Sequence, residues 1–310
     1  MFNSNIKHLR MILVRFTGGL GNQLFQYALG TCLASHNKTV LKIDTTLLED
    51  RSQPHEVVTH RDLDLDHVFD IALEQASVGE ITLFNGKSYN HIPGKLYNKF
   101  WWNLQGKKNL IVEQGRNFHS EILKLKDNKC LVGAWQSEKY FKEKKELIRE
   151  LLVFRDSLGG AAKELGIKIQ SGNSVCISTR RGDYVTSPVY SKTLGALPAE
   201  YFHRAIAELQ SKQQIDHVYV FTDDPEWSRS NLKFSVDTTF VGEEYNGPRY
   251  ATKFQLMTLC RHFIIPNSTF GWWAAWLGTH PDKTVVAPAK WFLDPAYDDS
   301  DLVPENWVRI

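Results

Sequence analysis

The chain has 310 residues, 42% hydrophobic and 23% charged, and 37 Lys and Arg against 35 Asp and Glu leave a formal net charge of +2. That is the make-up of a globular protein with room for two domains of ordinary size. A membrane-spanning helix is excluded, because no apolar run approaches the ~20 residues a bilayer needs; the charge balance argues neither for nor against nucleic acid.

In chain order, 11–16 is a short, mostly apolar run closed by Gly18-Gly19, which predicts a buried strand. Residues 22–34 follow with Leu24, Ala28 and Cys32 at helical spacing, and 39–44 reads as a second strand. Strand, helix, strand opens an α/β layer. The stretch 50–110 mixes loops with amphipathic pieces. Strands are predicted at 110–112 and 130–134, and a helix at 138–152 whose mixed Lys and Glu make a solvated face. Gly159-Gly160, Gly166 and Ser171-Gly172 mark 155–173 as a linker. Beyond it the alternation restarts with strand 174–179, helix 198–210, strand 217–221 and a helix from Pro225. A helix at 250–260, strand 262–265, a helix from Thr269 and strand 284–287 complete it. The expected fold class is α/β, with two parallel-sheet lobes, 1–158 and 159–310, either side of a cleft. The C-terminal tail is free to pack back on the first lobe.

Cys32, Cys130, Cys176 and Cys260 are scattered without a close pair, so they read as reduced core residues of a cytosolic protein. Lys7 and Arg10 lead into a strand pattern and not into a cleavage site, so no signal peptide is expected. The expected location is cytoplasmic, with room for peripheral work on the inner face of the cytoplasmic membrane.

Four segments carry chemistry. Arg180-Arg181-Gly182-Asp183-Tyr184 stands where a strand runs out into a loop. Ligands of open α/β sheets bind there, and a guanidinium suits a phosphate through two parallel hydrogen bonds. Arg180 is the phosphate candidate, and Arg181 is expected to pair with a carboxylate such as Asp183. A purely structural ion pair is the competing reading. An Arg-Gly-Asp adhesion motif does not suit a cytosolic chain.

Gly18-Gly19-Leu20-Gly21-Asn22-Gln23-Leu24-Phe25 lies between a strand and a helix. Glycines allow a close backbone approach, and the helix start offers N–H groups to an anion. A dinucleotide fingerprint is suggested, with Asp44 near the place of a ribose-binding acid, but its third glycine would be position 24, which is Leu. A tight turn explains the glycines without explaining Asn22 and Gln23. Phe221-Thr222-Asp223-Asp224-Pro225 offers Asp224 as a helix cap before Pro225 and leaves Asp223 free to accept from a base or sugar. In Asn267-Ser268-Thr269-Phe270-Gly271-Trp272-Trp273 the small polar residues either cap a helix or present donors to a pyrophosphate. The two tryptophans read as packing.

Asp62, Asp64 and Asp66 alternate as in a calcium loop, but the required glycine is His67 and the glutamate is Leu73. Leu63 and Leu65 point instead to an exposed or edge strand. No H-E-x-x-H, C-x-x-C, G-x-S-x-G or Walker sequence is present.

Together these segments, with Gln136-Ser137-Glu138-Lys139-Tyr140-Phe141, resemble the α-1,2-fucosyltransferases of glycosyltransferase family 11 over nearly the whole chain. The resemblance implies a GT-B-like fold of two Rossmann-like lobes whose parallel sheets face a central cleft. It implies inverting, metal-independent transfer of L-fucose from GDP-β-L-fucose to the 2-OH of a terminal β-galactoside in bacterial O-antigen synthesis. No cofactor is implied beyond that donor. The partners implied are GDP-fucose and a galactoside acceptor, lipid-linked or free, and no nucleic acid. Arg180 would grip the donor phosphate, Asp223 would face guanine, and Ser268 with Thr269 would hold the pyrophosphate after Asn267. Gly19, Gly21 and Asn22 would serve from the N-terminal lobe, Arg181 would support the nucleotide site, and Asp183 would orient an arginine or act as base. Two departures stand out: the motif histidine of the family is Ser178 here, and an acid before the Leu-Met pair is replaced by Lys253-Phe254-Gln255. A non-catalytic nucleotide- or sugar-binding protein and a nicotinamide oxidoreductase are the alternative functions. Residues 50–130 are expected to shape the acceptor site.

Overall fold

The computed structural model describes residues 10–52, 60–85 and 109–310. Lys7 and parts of the 50–130 region assigned to the acceptor lie outside them. Two compact units divide the chain: the described residues within Met1–Ser52, His60–Leu63 and Ala72–Glu150 form one, and those within Asp64–Ile71 and Leu151–Ile310 form the other.

The first unit is built on four parallel strands, β1 (Met11–Arg15), β2 (Val40–Asp44), β3 (Leu110–Val112) and β4 (Lys129–Val132), in the order β2-β1-β4-β3. β1 is buried along its whole length, as a central parallel strand must be. The helix Leu20–Asn37 connects β1 to β2 and buries thirteen of its residues. Parallel register sets Arg15 opposite Asp44, and their side chains form a buried ion pair at 2.6 Å. The other oxygen of Asp44 accepts from the backbone and hydroxyl of Thr46, so this acid is a structural one and not a ribose ligand.

The second unit holds six parallel strands. They are β5 (Ser174–Ser178), β6 (His217–Phe221), β7 (Thr238–Val241), β8 (His262–Ile264), β9 (Val285–Ala287) and β10 (Val308–Arg309), in the order β10-β9-β8-β5-β6-β7. The first three strands run one way from β5 and the last three the other way, which is the Rossmann strand order. The end of the chain thus completes this second sheet. Val175, Ile177, Val218, Val220, Ile264 and Val286 pack with Phe202 and Leu209 of helix Ala199–Gln210 in one core cluster. Trp272 and Trp273 are fully buried, and the Trp272 indole donates to the carbonyl of Leu302 at 3.0 Å. They are packing residues, as the sequence suggests.

Three expectations change. Residues 160–171 of the supposed linker form a helix with Leu165 and Ile169 buried. Gly166 is there for contact, since a Cβ would stand 3.0 Å from Leu158 and 3.1 Å from Leu259. The helix 138–152 is broken into two 3-10 turns and a helix Lys145–Leu151, because Tyr140 and Phe141 are both buried. Asp64 precedes a short helix, Leu65–Val68, not an edge strand; its spacing buries Leu65 and Val68 together.

All four cysteines are free and buried. Burial pushes the Cys32 thiol up to about 11 and the Cys130 thiol up to about 12, so neither is a ready nucleophile. Among the described residues no helix is long and apolar enough to cross a membrane.

Candidate active site

The strand order of the second unit reverses between β5 and β8. A crevice opens at such a switch point beyond the carboxyl ends of the strands. The loops that leave β5, β6 and β8 there are the three motif segments read from the sequence.

Thr179 couples the first two loops. Its N–H donates to the Phe221 carbonyl at 2.9 Å and its hydroxyl donates to Thr222 Oγ1 at 2.7 Å. Thr222 Oγ1 in turn meets Ser228 Oγ at 2.8 Å and accepts from the Asp224 N–H at 2.9 Å. This hydroxyl chain fixes where Arg180 and Asp223 emerge.

The Arg180 guanidinium is held by two carboxylates, Nη2 at 2.7 Å from Asp183 Oδ1 and Nη1 at 3.0 Å from Asp223 Oδ2. Its carbon lies 5.7 Å from the Tyr184 ring centre. Burial works against its charge, but Asp183 and Asp223 outweigh burial and hold its pKa above the ordinary arginine value. Gly182 makes the approach possible: a Cβ there would stand 3.0 Å from Asp223 Oδ2.

Arg181 is occupied differently. Its backbone N–H donates to Asp223 Oδ1 at 2.8 Å, its Nε pairs with Asp224 Oδ2 at 3.1 Å, and its guanidinium lies 3.8 Å from the Trp227 ring centre. The carboxylate expected for Arg181 is therefore Asp224, because Asp183 belongs to Arg180. Asp224 also caps the helix Pro225–Asn231 by accepting from the Trp227 N–H. Trp227 closes the segment Phe221 to Trp227 that the sequence singles out, but the sequence gives it no role, although its place three residues after the cap puts it on the first turn, within reach of the arginine.

Beyond β8, Asn267 is 1% exposed, and its amide donates to the carbonyls of Leu194, Gly195 and Trp291. Its own carbonyl accepts from the Tyr184 hydroxyl at 3.0 Å. Asn267 thus braces the loops around the site. Ser268 stands at the start of helix Thr269–Leu277, yet its side chain does not cap that helix. The start of a helix is where backbone N–H groups can meet an anion. Gly271 brings this helix close to β5, since a Cβ there would lie 3.3 Å from Ser178 Oγ.

Gly19, Gly21 and Asn22 belong to the first unit. Gly19 precedes helix Leu20–Asn37, and its carbonyl accepts from the N–H groups of Asn22 and Gln23. Asn22 Oδ1 accepts from Gln136 Nε2 at 2.9 Å, which joins the first motif to the mid-chain block. Gln23 is fully buried and donates to the carbonyls of Gly18 and Asp62, so it braces the loop. The sequence singled out neither Gln136 as the partner of Asn22 nor Gln23 as a brace.

The profile of Glycosyl transferase family 11 matches residues 11–310. An alpha-1,2-colitosyltransferase of Escherichia coli is 30% identical over 97% of this chain and 99% of its own. The O-antigen biosynthesis glycosyltransferase WbnK of Escherichia coli is also 30% identical, over 95% of this chain and 98% of its own. Galactoside alpha-(1,2)-fucosyltransferase 2 of Gorilla gorilla gorilla is 25% identical over 97% of this chain and 79% of its own. Both Escherichia coli proteins align along essentially their full length, so the likeness covers the first unit and the second alike. This chain is a glycosyltransferase and belongs to glycosyl transferase family 11.

Proposed function

We propose that the chain transfers L-fucose from GDP-β-L-fucose to the 2-OH of a terminal β-galactoside, inverting the anomeric centre and requiring no metal, in O-antigen-type polysaccharide assembly. One observation carries the reading: Arg180 stands at the switch point of a Rossmann-ordered sheet, pre-aligned by Asp183 and Asp223. The names of the relatives support the sugar, the linkage and the polysaccharide.

As the bond to the anomeric carbon breaks, negative charge gathers on the departing diphosphate. Arg180 takes that charge through its remaining donors. The backbone N–H groups after Ser268, with the hydroxyls of Ser268 and Thr269, share it. Asp183 and Asp223 act by orienting Arg180, and Arg181 and Asn267 by supporting the loops; Asp223, expected from the sequence to be free to face guanine, already has Oδ2 on Arg180 and Oδ1 on the Arg181 N–H. Gly19 lets the turn after β1 approach a ligand, with Gly21 buried in the first turn of the helix behind it and Asn22 fixed by Gln136. Residues 1–158 serve the acceptor and 159–310 the nucleotide sugar. The protein works in the cytoplasm, on a free acceptor or on a lipid-linked one at the inner membrane face.

The test is mass spectrometry of products from GDP-fucose and a panel of β-galactosides, with and without EDTA. The expected product gains one deoxyhexose at the 2-position, at the same rate in chelator. GDP binding without turnover on any galactoside would leave a non-catalytic binder. A colitose donor is the second reading, favoured by the Escherichia coli relative named for that sugar. Running both GDP-sugars side by side decides between them.

A further inference from the structure

The helix Ala251–Thr258 leads into β8, so its first turn lies towards the carboxyl ends of the strands, where Arg180, Asp223 and Ser268 gather. That turn carries Lys253. The residue is only 6% exposed, on a helix that also buries Phe254, Leu256 and Met257. Among the described residues its ammonium makes no hydrogen bond and no ion pair. Glu243, Glu244 and Asp223 are near enough to act on its charge, yet none closes on it; burial, the larger influence, holds its pKa below the ordinary lysine range.

The two arginines nearby are already committed, Arg180 to Asp183 and Asp223 and Arg181 to Asp224 and Trp227. Lys253 differs from both. A cation on a side chain this deeply placed, without a direct partner, is costly to the empty protein. Such a cost is kept where function needs the group.

We infer that Lys253 is a nucleotide-binding residue, which donates to an acceptor oxygen of the bound nucleotide and helps set which nucleotide the site accepts. The inference rests on reading this site as one for a nucleotide sugar. An ammonium can only donate. It can hold a phosphate oxygen or a base carbonyl, and it cannot hold a base N–H.

The test is calorimetry of GDP, GMP, UDP and ADP binding to the wild type and to Lys253→Met, which keeps the stem and removes the charge. Melting temperatures of the empty proteins are measured beside it. The variant should bind GDP about 10- to 100-fold more weakly, the range of one charge-assisted hydrogen bond, and its empty form should melt no lower than wild type. An equal loss for all diphosphates identifies a phosphate oxygen. A loss larger for GDP than for ADP identifies the base carbonyl. Unchanged GDP affinity in the folded variant overturns the inference, as does a lower melting temperature with undiminished stabilisation by GDP. If Lys253→Met does not fold, Lys253→Gln is read by the same criteria. A wild type that binds none of these nucleotides while Lys253→Met is folded and equally silent defeats the site reading and the inference with it; wild-type binding with an unaffected variant defeats the inference alone.

Discussion

Nη1 of Arg180 lies 3.0 Å from Oδ2 of Asp223, so the loop after β5 is tied to the loop after β6 through the group that faces the switch point. The ion pair is half of a two-carboxylate clamp, Asp183 being the other half. Within it the guanidinium is oriented before any ligand arrives. Electrostatic catalysis depends on such pre-orientation.

Arg180→Ala should lower kcat by about 10²–10³, as deletion of one oxyanion donor does. Arg180→Lys should also be poor, because a point charge does not reproduce the planar fork. Steady-state turnover with saturating donor measures both. A folded Arg180→Ala with near-normal turnover sinks the assignment.

Gly182→Ala should reduce turnover by roughly tenfold by displacing the clamp. The added methyl would stand 3.0 Å from Asp223 Oδ2. Melting temperature should hardly move, since the site lies at the start of a helix where alanine is well tolerated. Equal losses of stability and turnover would show a folding defect instead.

Arg181→Met should show the opposite pattern. It removes the contact with Trp227 and the pair with Asp224, at a cost of about 1–2 kcal/mol of stability. Turnover of the folded variant should stay within a few-fold of wild type. Urea unfolding and kcat, measured on one preparation, separate the two arginines.

Stability should fall on the acid side because of His262. Burial, helped by the charges of Arg261 and His280, lowers its pKa to about 4. The ring also has a fixed hydrogen-bonding sense: Nε2 faces Asn173 Oδ1 at 2.7 Å, while Nδ1 accepts from the Thr284 N–H at 3.1 Å. The folded pKa lies below the ordinary 6.5, so between those values the unfolded chain binds a proton that the folded chain does not. Stability is therefore fully present above about pH 6.5 and is lost as pH falls towards 4, by about 3 kcal/mol in all. Urea midpoints across this range should slope accordingly, and His262→Gln should flatten the slope. An unchanged slope would place the titration elsewhere.

The strands of both sheets were legible wherever burial on both faces made an unbroken apolar run, as in β1, β5 and β6. β7 was not, since Thr238 and Thr239 at an outer strand carry no such run. The linker misreading came from taking Gly166 as flexibility when it is a contact surface, which only the third dimension reveals. At the site, the sequence located Arg180 and the Asp224 cap because each rests on local spacing. It could not assign carboxylates to arginines. Asp183 is close along the chain to both arginines and Asp224 lies 43 residues beyond Arg181, and which carboxylate closes on which arginine depends on how the loops after β5 and β6 leave their strands.

The narrow gap between Gly271 and Ser178 couples these two positions sterically. Position 178 ends β5 and position 271 lies in the first turn of the helix after β8, and the missing Cβ of one rests against the hydroxyl of the other. A larger side chain at 178 would be judged against the residue at 271 and not on its own merit. The effect of placing a histidine at 178 should therefore be non-additive: small or large according to what occupies 271, and unpredictable from either single substitution.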